Sequence, residues 1–257
     1  MTDWLNRYEK NIQLFITAGR KEYDSILTLP YYYSKDKVLL SGFPRYDYLE
    51  NKPKGKLIIA PTYRASLINA ETNRDGMRGY DPHFKHTKYF KFYNKLLGDD
   101  RILRALRKNA MTAEFYLHPN FSAQSVDFTQ NELVSLPPYP YDYRRAFAEG
   151  NLLVSDYSSV VFDFAYLEKP VLYTKFDEDE FYAGHTYSKS DFFHDEDDGF
   201  GRVTRTYDEL VDAIVLSIES GCVMEAKYKQ RVHDFFYRID QHNSKRVYDA
   251  IRYNKDR

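Results

Sequence analysis

Cysteine is nearly absent: Cys222 stands alone among 257 residues, so neither an internal disulfide nor a cysteine-built zinc cage can form. A cytosolic setting is the expectation. Neither sign of charge dominates, because 37 Lys and Arg face 38 Asp and Glu, a formal net charge of -1. That balance argues against nucleic-acid binding driven by charge. Long apolar runs are missing: Asn151 to Tyr173 is interrupted by Asp156, Asp163, Glu168 and Lys169, well short of the roughly 20 apolar residues of a membrane-spanning helix. Met1 to Phe15 carries Asp3, Arg7, Glu9 and Lys10 where an export signal would need an apolar core. Also missing are the G-x-x-x-x-G-K-S/T phosphate loop, G-x-G-x-x-G, the G-x-S-x-G elbow and H-E-x-x-H, which speaks against P-loop NTPases, typical dehydrogenases, esterases and zincins. What is plentiful is aromatic: 25 Tyr and 18 Phe raise aromatics to 17% of the chain. A globular fold of one large α/β unit, or one unit plus a fragment, fits this length and composition.

Short apolar runs bounded by turn residues predict strands at Gln13 to Thr17, Val38 to Ser41, Leu57 to Ala60, Glu114 to Leu117, Leu152 to Ser155 and Val171 to Thr174. Helical spacing lies between them at Arg20 to Leu29, Lys88 to Lys108 with a break at Gly98, Tyr143 to Glu149 and Ser159 to Glu168. The alternation is βαβ, hence a mostly parallel sheet. Thr206 and Glu209 form a T-x-x-E capping box before an apolar stripe at Leu210, Ile214, Val211, Val215 and Ile218, and two more helices are expected over Met224 to Arg238 and Ser244 to Tyr253. Asp177 to Gly201 is acidic and aromatic and is expected to be a long loop. Its Asp195, Asp197 and Asp198 miss the calcium-loop spacing, because Gly199 falls where a ligand is needed.

Three strand ends carry residues suited to phosphate. After Leu152 to Ser155 comes Asp156-Tyr-Ser158-Ser159, where Ser158 or Ser159 would cap the next helix and leave outward N–H groups for an anion, with Asp163 one turn on. An ordinary serine-capped junction satisfies the same residues. After Leu57 to Ala60, Thr62 offers a hydroxyl and Arg64 a planar guanidinium for phosphate oxygens, although a surface Arg after a proline turn is common. His118, fixed by Pro119, ends a third strand and can protonate or hydrogen-bond a leaving phosphate, or serve the structure alone. A doubly wound sheet brings all three ends onto one rim. Arg101, Arg104, Arg107 and Lys108 sit on helical spacing, as a solvated helix face or, more sharply, a membrane or acceptor contact.

The motifs Gly42-Phe-Pro44-Arg45-Tyr-Asp47, Ala60-Pro-Thr62-Tyr-Arg64, Leu117-His118-Pro119, Val154-Ser-Asp156-Tyr-Ser158-Ser159-Val-Val-Phe-Asp163-Phe and Lys169-Pro170-Val-Leu-Tyr173 follow in an order that resembles the CDP-glycerol glycerophosphotransferase family of teichoic acid primases and polymerases. Phe176-Asp177, His185-Thr-Tyr187 and Asp197-Asp-Gly199-Phe-Gly201-Arg-Val203 resemble the loop that follows in one branch. The resemblance implies a GT-B fold, two Rossmann-like halves of which this chain matches the C-terminal, donor-binding one. Residues 1–41 then correspond to a remnant of the N-terminal acceptor half, and 42–257 to the nucleotide-donor domain with C-terminal helices. The family's Trp-His-Gly motif, which carries the proposed acceptor base, has no counterpart here: the only Trp is Trp4, followed by Leu5.

By the same resemblance, Thr62, Arg64, His118, Asp156, Ser158 and Ser159 surround the donor pyrophosphate, Asp163 lies close by, His185 is a weaker candidate, and His118 takes the catalytic part. The implied activity transfers glycerol phosphate from CDP-glycerol, the donor substrate, to a polymeric or lipid-linked acceptor at the inner face of the membrane. No metal, no further cofactor and no nucleic acid are implied. The rival readings are a GT-B transferase for CDP-ribitol or an NDP-sugar, a non-catalytic donor half needing an acceptor-domain partner chain, and a tyrosine-rich interaction domain.

Overall fold

The computed structural model describes residues 5–68, 78–184 and 192–254. The chain divides into two compact units, one of 1–49, 188–200 and 225–257, the other of 50–187 and 201–224. The C-terminal helices thus group with the N-terminal segment, not with the sheet domain as the expected boundary at residue 41 would have them.

In the first unit, β1 (Phe15–Thr17) and β2 (Val38–Leu40) pair in parallel around α1 (Arg20–Thr28), and Ile26, Tyr31, Tyr33 and Val38 form its core. This is the βαβ unit that the apolar runs predict. The same unit holds α8 (Ala226–Phe235) and α9 (Asn243–Asn254). The Gly42 to Asp47 motif has its structural reason here. Asp47 accepts hydrogen bonds from the Asn243 amide (2.8 Å), the Asn243 side chain (2.7 Å) and the Ser244 amide (2.7 Å), satisfying donors at the start of α9. Gly42 has φ +81, and a Cβ there would collide with Asn243 Oδ1.

The second unit is a six-stranded parallel sheet in the order β5-β4-β3-β6-β7-β8, built from β3 (Lys56–Ile59), β4 (Thr112–Phe115), β5 (Val134–Ser135), β6 (Gly150–Ser155), β7 (Val171–Thr174) and β8 (Gly201–Thr204). From β3 the chain steps outward through β4 to β5, returns to β6 on the other side of β3, and steps outward again to β8. Leu57, Ile58 and Ile59 are at most 2% exposed, the unbroken apolar run of a strand covered on both faces. One face packs Leu57, Ile59, Leu152 and Val154 against α2 (Lys88–Leu97), α3 (Asp100–Lys108) and α7 (Tyr207–Glu219). The other meets α4 (Tyr143–Glu149) and α5 (Val160–Tyr166), where Phe147 and Phe164 stand edge to face at 6.0 Å. Each such fully buried Leu, Ile or Phe contributes roughly 1.5–3 kcal/mol of apolar burial.

The predicted break at Gly98 separates α2 from α3, and Asp99 caps α3 by accepting from the Arg101 amide at 2.9 Å. The capping box is present too: Thr206 Oγ1 accepts from the Glu209 amide at 3.3 Å, and Glu209 accepts from the Thr206 amide at 3.2 Å. Asp177 to Gly201 departs from the expected loop. α6 (Glu178–Gly184) begins within it, with Glu178, Asp179 and Glu180 complementing its amino end, and Gly201 opens β8.

Candidate functional site

Strands β3 and β6 are neighbours whose onward connections run to opposite sides of the sheet, so the turns after them diverge. Open α/β sheets collect ligands at this switch point. The two turns are joined. Ser155 Oγ donates to the Ala60 carbonyl at 2.7 Å, and Asp156, 1% exposed, accepts from the Thr62 amide at 2.8 Å and the Tyr157 amide at 2.6 Å. Thr62 is buried, and its hydroxyl has no hydrogen-bond partner among the described residues.

Arg64, expected to face phosphate oxygens, is 4% exposed and already engaged. Its Nε and Nη2 donate to the two oxygens of Asp177 at 2.6 and 3.0 Å, and Nη1 donates to the Thr62 carbonyl at 2.7 Å and lies 2.9 Å from Asp156 Oδ2. Burial alone would favour the neutral guanidine, but Asp156 and Asp177 outweigh it, and the net shift is upward. Burial raises the Asp177 carboxyl, with Arg64 acting against it. Lys175, buried beside them, donates to the Asp156 carbonyl at 3.0 Å and sits 3.9 Å above the Tyr157 ring. Two cations and two carboxylates therefore cancel.

His118 follows β4 and is half-buried. Its Nδ1 accepts from the Asn120 amide at 3.2 Å, which puts the proton of the neutral ring on Nε2, and its ring packs on Tyr63 at 4.6 Å. Ser158 Oγ accepts from the Val160 amide at a long 3.4 Å, while exposed Ser159 occupies the cap position of α5 without a side-chain cap bond. Of the two serines expected to cap, Ser159 holds the cap position without using its side chain, and Ser158 reaches only the first helical amide. Asp163 lies half-buried in the first turn of α5. Thr62, Arg64, His118, Asp156, Ser158 and Ser159 thus stand after β3, β4 and β6, adjacent strands; His185 lies outside the described residues.

Sequence reasoning missed Lys175 as a contributor and saw Asp177 only as the start of a loop. Both follow β7 directly, so the signal was a fourth strand end. The basic cluster reads as a solvated face: Arg101 pairs with Asp99, Asp208 and Asp212 at 3.2, 2.8 and 3.5 Å, Arg107 with Glu132 at 2.7 Å, and Lys108 with Glu219 at 3.1 Å.

Residues 2–253 match the family model described as CDP-Glycerol:Poly(glycerophosphate) glycerophosphotransferase. The chain is similar to the minor teichoic acid biosynthesis protein GgaB of Bacillus subtilis (strain 168), at 38% identity over 97% of this chain and 27% of that protein. It is also similar to the teichoic acid poly(ribitol-phosphate) polymerase of Bacillus spizizenii, at 27% identity over 84% of this chain and 33% of that one. Among solved structures, the wall teichoic acid polymerase TagF aligns with a TM-score of 0.62 at 16% identity, over 97% of this chain and 61% of TagF. That likeness is one of fold, and it agrees with the GT-B, Rossmann-like class read from the sequence. The chain spans about a third or less of the length of these two curated relatives.

Proposed function

This chain belongs to the CDP-glycerol:poly(glycerophosphate) glycerophosphotransferase family, and we propose that its six-stranded unit holds CDP-glycerol at the carboxyl ends of β3, β4 and β6. The observation that carries this reading is the adjacency of those ends: Thr62, His118 and the Asp156 to Ser159 turn follow three neighbouring strands at the switch point. In the transfer, the acceptor hydroxyl oxygen bonds to the phosphorus bearing glycerol, the bond from that phosphorus to the CMP oxygen breaks, and CMP leaves. The acceptor proton goes to a base of the acceptor half, supplied by further chain or by a partner.

Such a step depends on positioning and on donors aimed at the phosphoryl oxygens. Nε2–H of His118 hydrogen-bonds the leaving phosphate, and the Ser158 and Ser159 hydroxyls serve the other oxygens. Asp163, in the first turn of α5, flanks the site. The acceptor is a teichoic-acid or related polymer, polymeric or lipid-linked. No helix among the described residues is long and apolar enough to cross a membrane; in this reading the chain works as a peripheral protein at the inner face of the membrane. The likeness to a poly(ribitol-phosphate) polymerase favours CDP-ribitol as the second candidate donor.

Calorimetric titration with CDP-glycerol, CMP, CDP-ribitol and UDP-GlcNAc, followed by a CMP-release assay on the best binder, tests the reading. Cytidine-selective binding is expected, weakened at least ten-fold in a variant combining His118→Ala and Ser158→Ala. Absence of nucleotide binding, or affinity unchanged in that variant, overturns the placement.

A further inference from the structure

Building on that donor reading, we propose that Arg64 is a positioning residue: with Asp156 and Asp177 it forms a buried clasp that fixes the turns after β3 and β6 to the segment after β7, and it does not contact phosphate. Nε and one Nη2 hydrogen donate to Asp177, and Nη1 donates to the Thr62 carbonyl while lying 2.9 Å from Asp156 Oδ2 as an ion pair, so all three guanidinium nitrogens are already engaged. Its charge is equally committed, since Asp156 and Asp177 match Arg64 and Lys175.

Aromatic rings close the clasp. Tyr89, Tyr157 and Phe181 lie 5.2 Å from the guanidinium carbon and Phe176 5.8 Å. Tyr157, from the β6 turn, stacks on Phe181 of α6 at 3.7 Å and 9°. Charge and ring stacking thus bind the same two segments. A buried ion cluster adds little net stability over apolar side chains of equal volume, whereas the planar bidentate fork fixes distance and angle in a way no lysine can. The clasp leaves buried hydroxyls of Thr62 and Tyr157 without hydrogen-bond partners among the described residues, on the two turns that it holds.

The test compares Asp177→Asn, Arg64→Gln and wild type by calorimetry with CDP-glycerol at several salt concentrations. If Arg64 positions, both variants weaken binding at least ten-fold, leave the dependence of log K on log salt unchanged, and are far from additive when combined. If Arg64 is instead a phosphate ligand restrained by Asp177, Asp177→Asn tightens binding and Arg64→Gln flattens the salt dependence; either result overturns the proposal. A purely structural role lowers the binding stoichiometry and leaves the Kd of the folded fraction in place, which also overturns it. Should Arg64→Gln fail to fold, the sign of the Asp177→Asn effect decides alone. Should wild type bind no cytidine nucleotide, the donor reading falls, and amide hydrogen exchange of the ligand-free protein judges the clasp. Asp177→Asn then speeds exchange at least ten-fold in 156–159 and 178–184 and not in β3 or β4; unchanged exchange there refutes it.

Discussion

The two ends of the six-stranded sheet both bury charge and use it differently. At the amino ends, Lys169 places its ammonium on the carbonyls of Phe147 (2.7 Å), Ala148 (2.8 Å) and Gly150 (2.8 Å), closing the end of α4 onto β6. Burial pulls this lysine down to about 8, so it is still largely protonated at neutral pH and all three of its hydrogens are used. Beside it, Lys56 bridges Glu114 (2.6 Å) and Glu149 (2.7 Å), and Lys54 reaches Glu149 at 2.8 Å. At the carboxyl ends, the Arg64 cluster cancels its own charge, yet the hydroxyls of Thr62, Tyr89 and Tyr157 are buried without hydrogen-bond partners among the described residues. A saturated polar network reads as structure, and a preset one with donors left over reads as a site.

The sharpest way to break this contrast is Lys169→Met. Three carbonyls lose their donor, so stability falls by about 3–5 kcal/mol in chemical denaturation, while the Kd for CDP-glycerol stays within two-fold. A change in Kd comparable to the stability loss would merge the two rims into one system. pH adds a second handle. Above pH 8 the folded state has released the Lys169 proton that the unfolded chain still binds, so stability contributed at this site rises with pH. The advantage of wild type over Lys169→Met therefore widens by about 2 kcal/mol between roughly pH 8 and 9.5. Comparing the two proteins removes the opposing titrations of Cys222 and the tyrosines. On the acid side, hydrogen bonds from Lys54 and Lys56 hold Glu149 at about 2, and its contribution, present above the ordinary carboxylate range, is lost as pH falls toward 2.

At the other rim, combining His118→Ala and Ser158→Ala shifts stability by less than about 1 kcal/mol and weakens CDP-glycerol binding by at least about 1.4 kcal/mol, a factor of ten. The smallest stability effect belongs to Thr62→Val. Its hydroxyl has no partner to lose, so denaturation midpoints stay within about 0.5 kcal/mol of wild type, and nucleotide affinity falls several-fold. A marked loss of stability in that variant would show that the hydroxyl serves the fold.

Much of the fold was legible because buried parallel strands announce themselves as apolar runs, as at Leu57 to Ile59 and Leu152 to Val154, and because Gly98 and the Thr206 and Glu209 pair are local signals. β5 escaped because Val134–Ser135 is too short to carry a pattern, and β8 because Gly201–Thr204 lies at the end of an acidic stretch that masks it. In the site, the residue types and their strand ends were legible, but the commitment of Arg64 was not. Its partner Asp177 lies 113 residues away, and no periodicity links a guanidinium to a carboxylate across a sheet. The Gly42 to Asp47 motif was legible as a family mark and not as a cap for α9, for the same reason.

The most direct test of the account is amide hydrogen exchange of the wild-type protein with and without saturating CDP-glycerol. Protection is predicted at residues 60–64, 117–120 and 156–159, with the amino-end segments 54–56 and 147–151 unchanged. Protection confined to the amino ends, or none at either rim, would contradict the assignment of the donor site to the carboxyl ends.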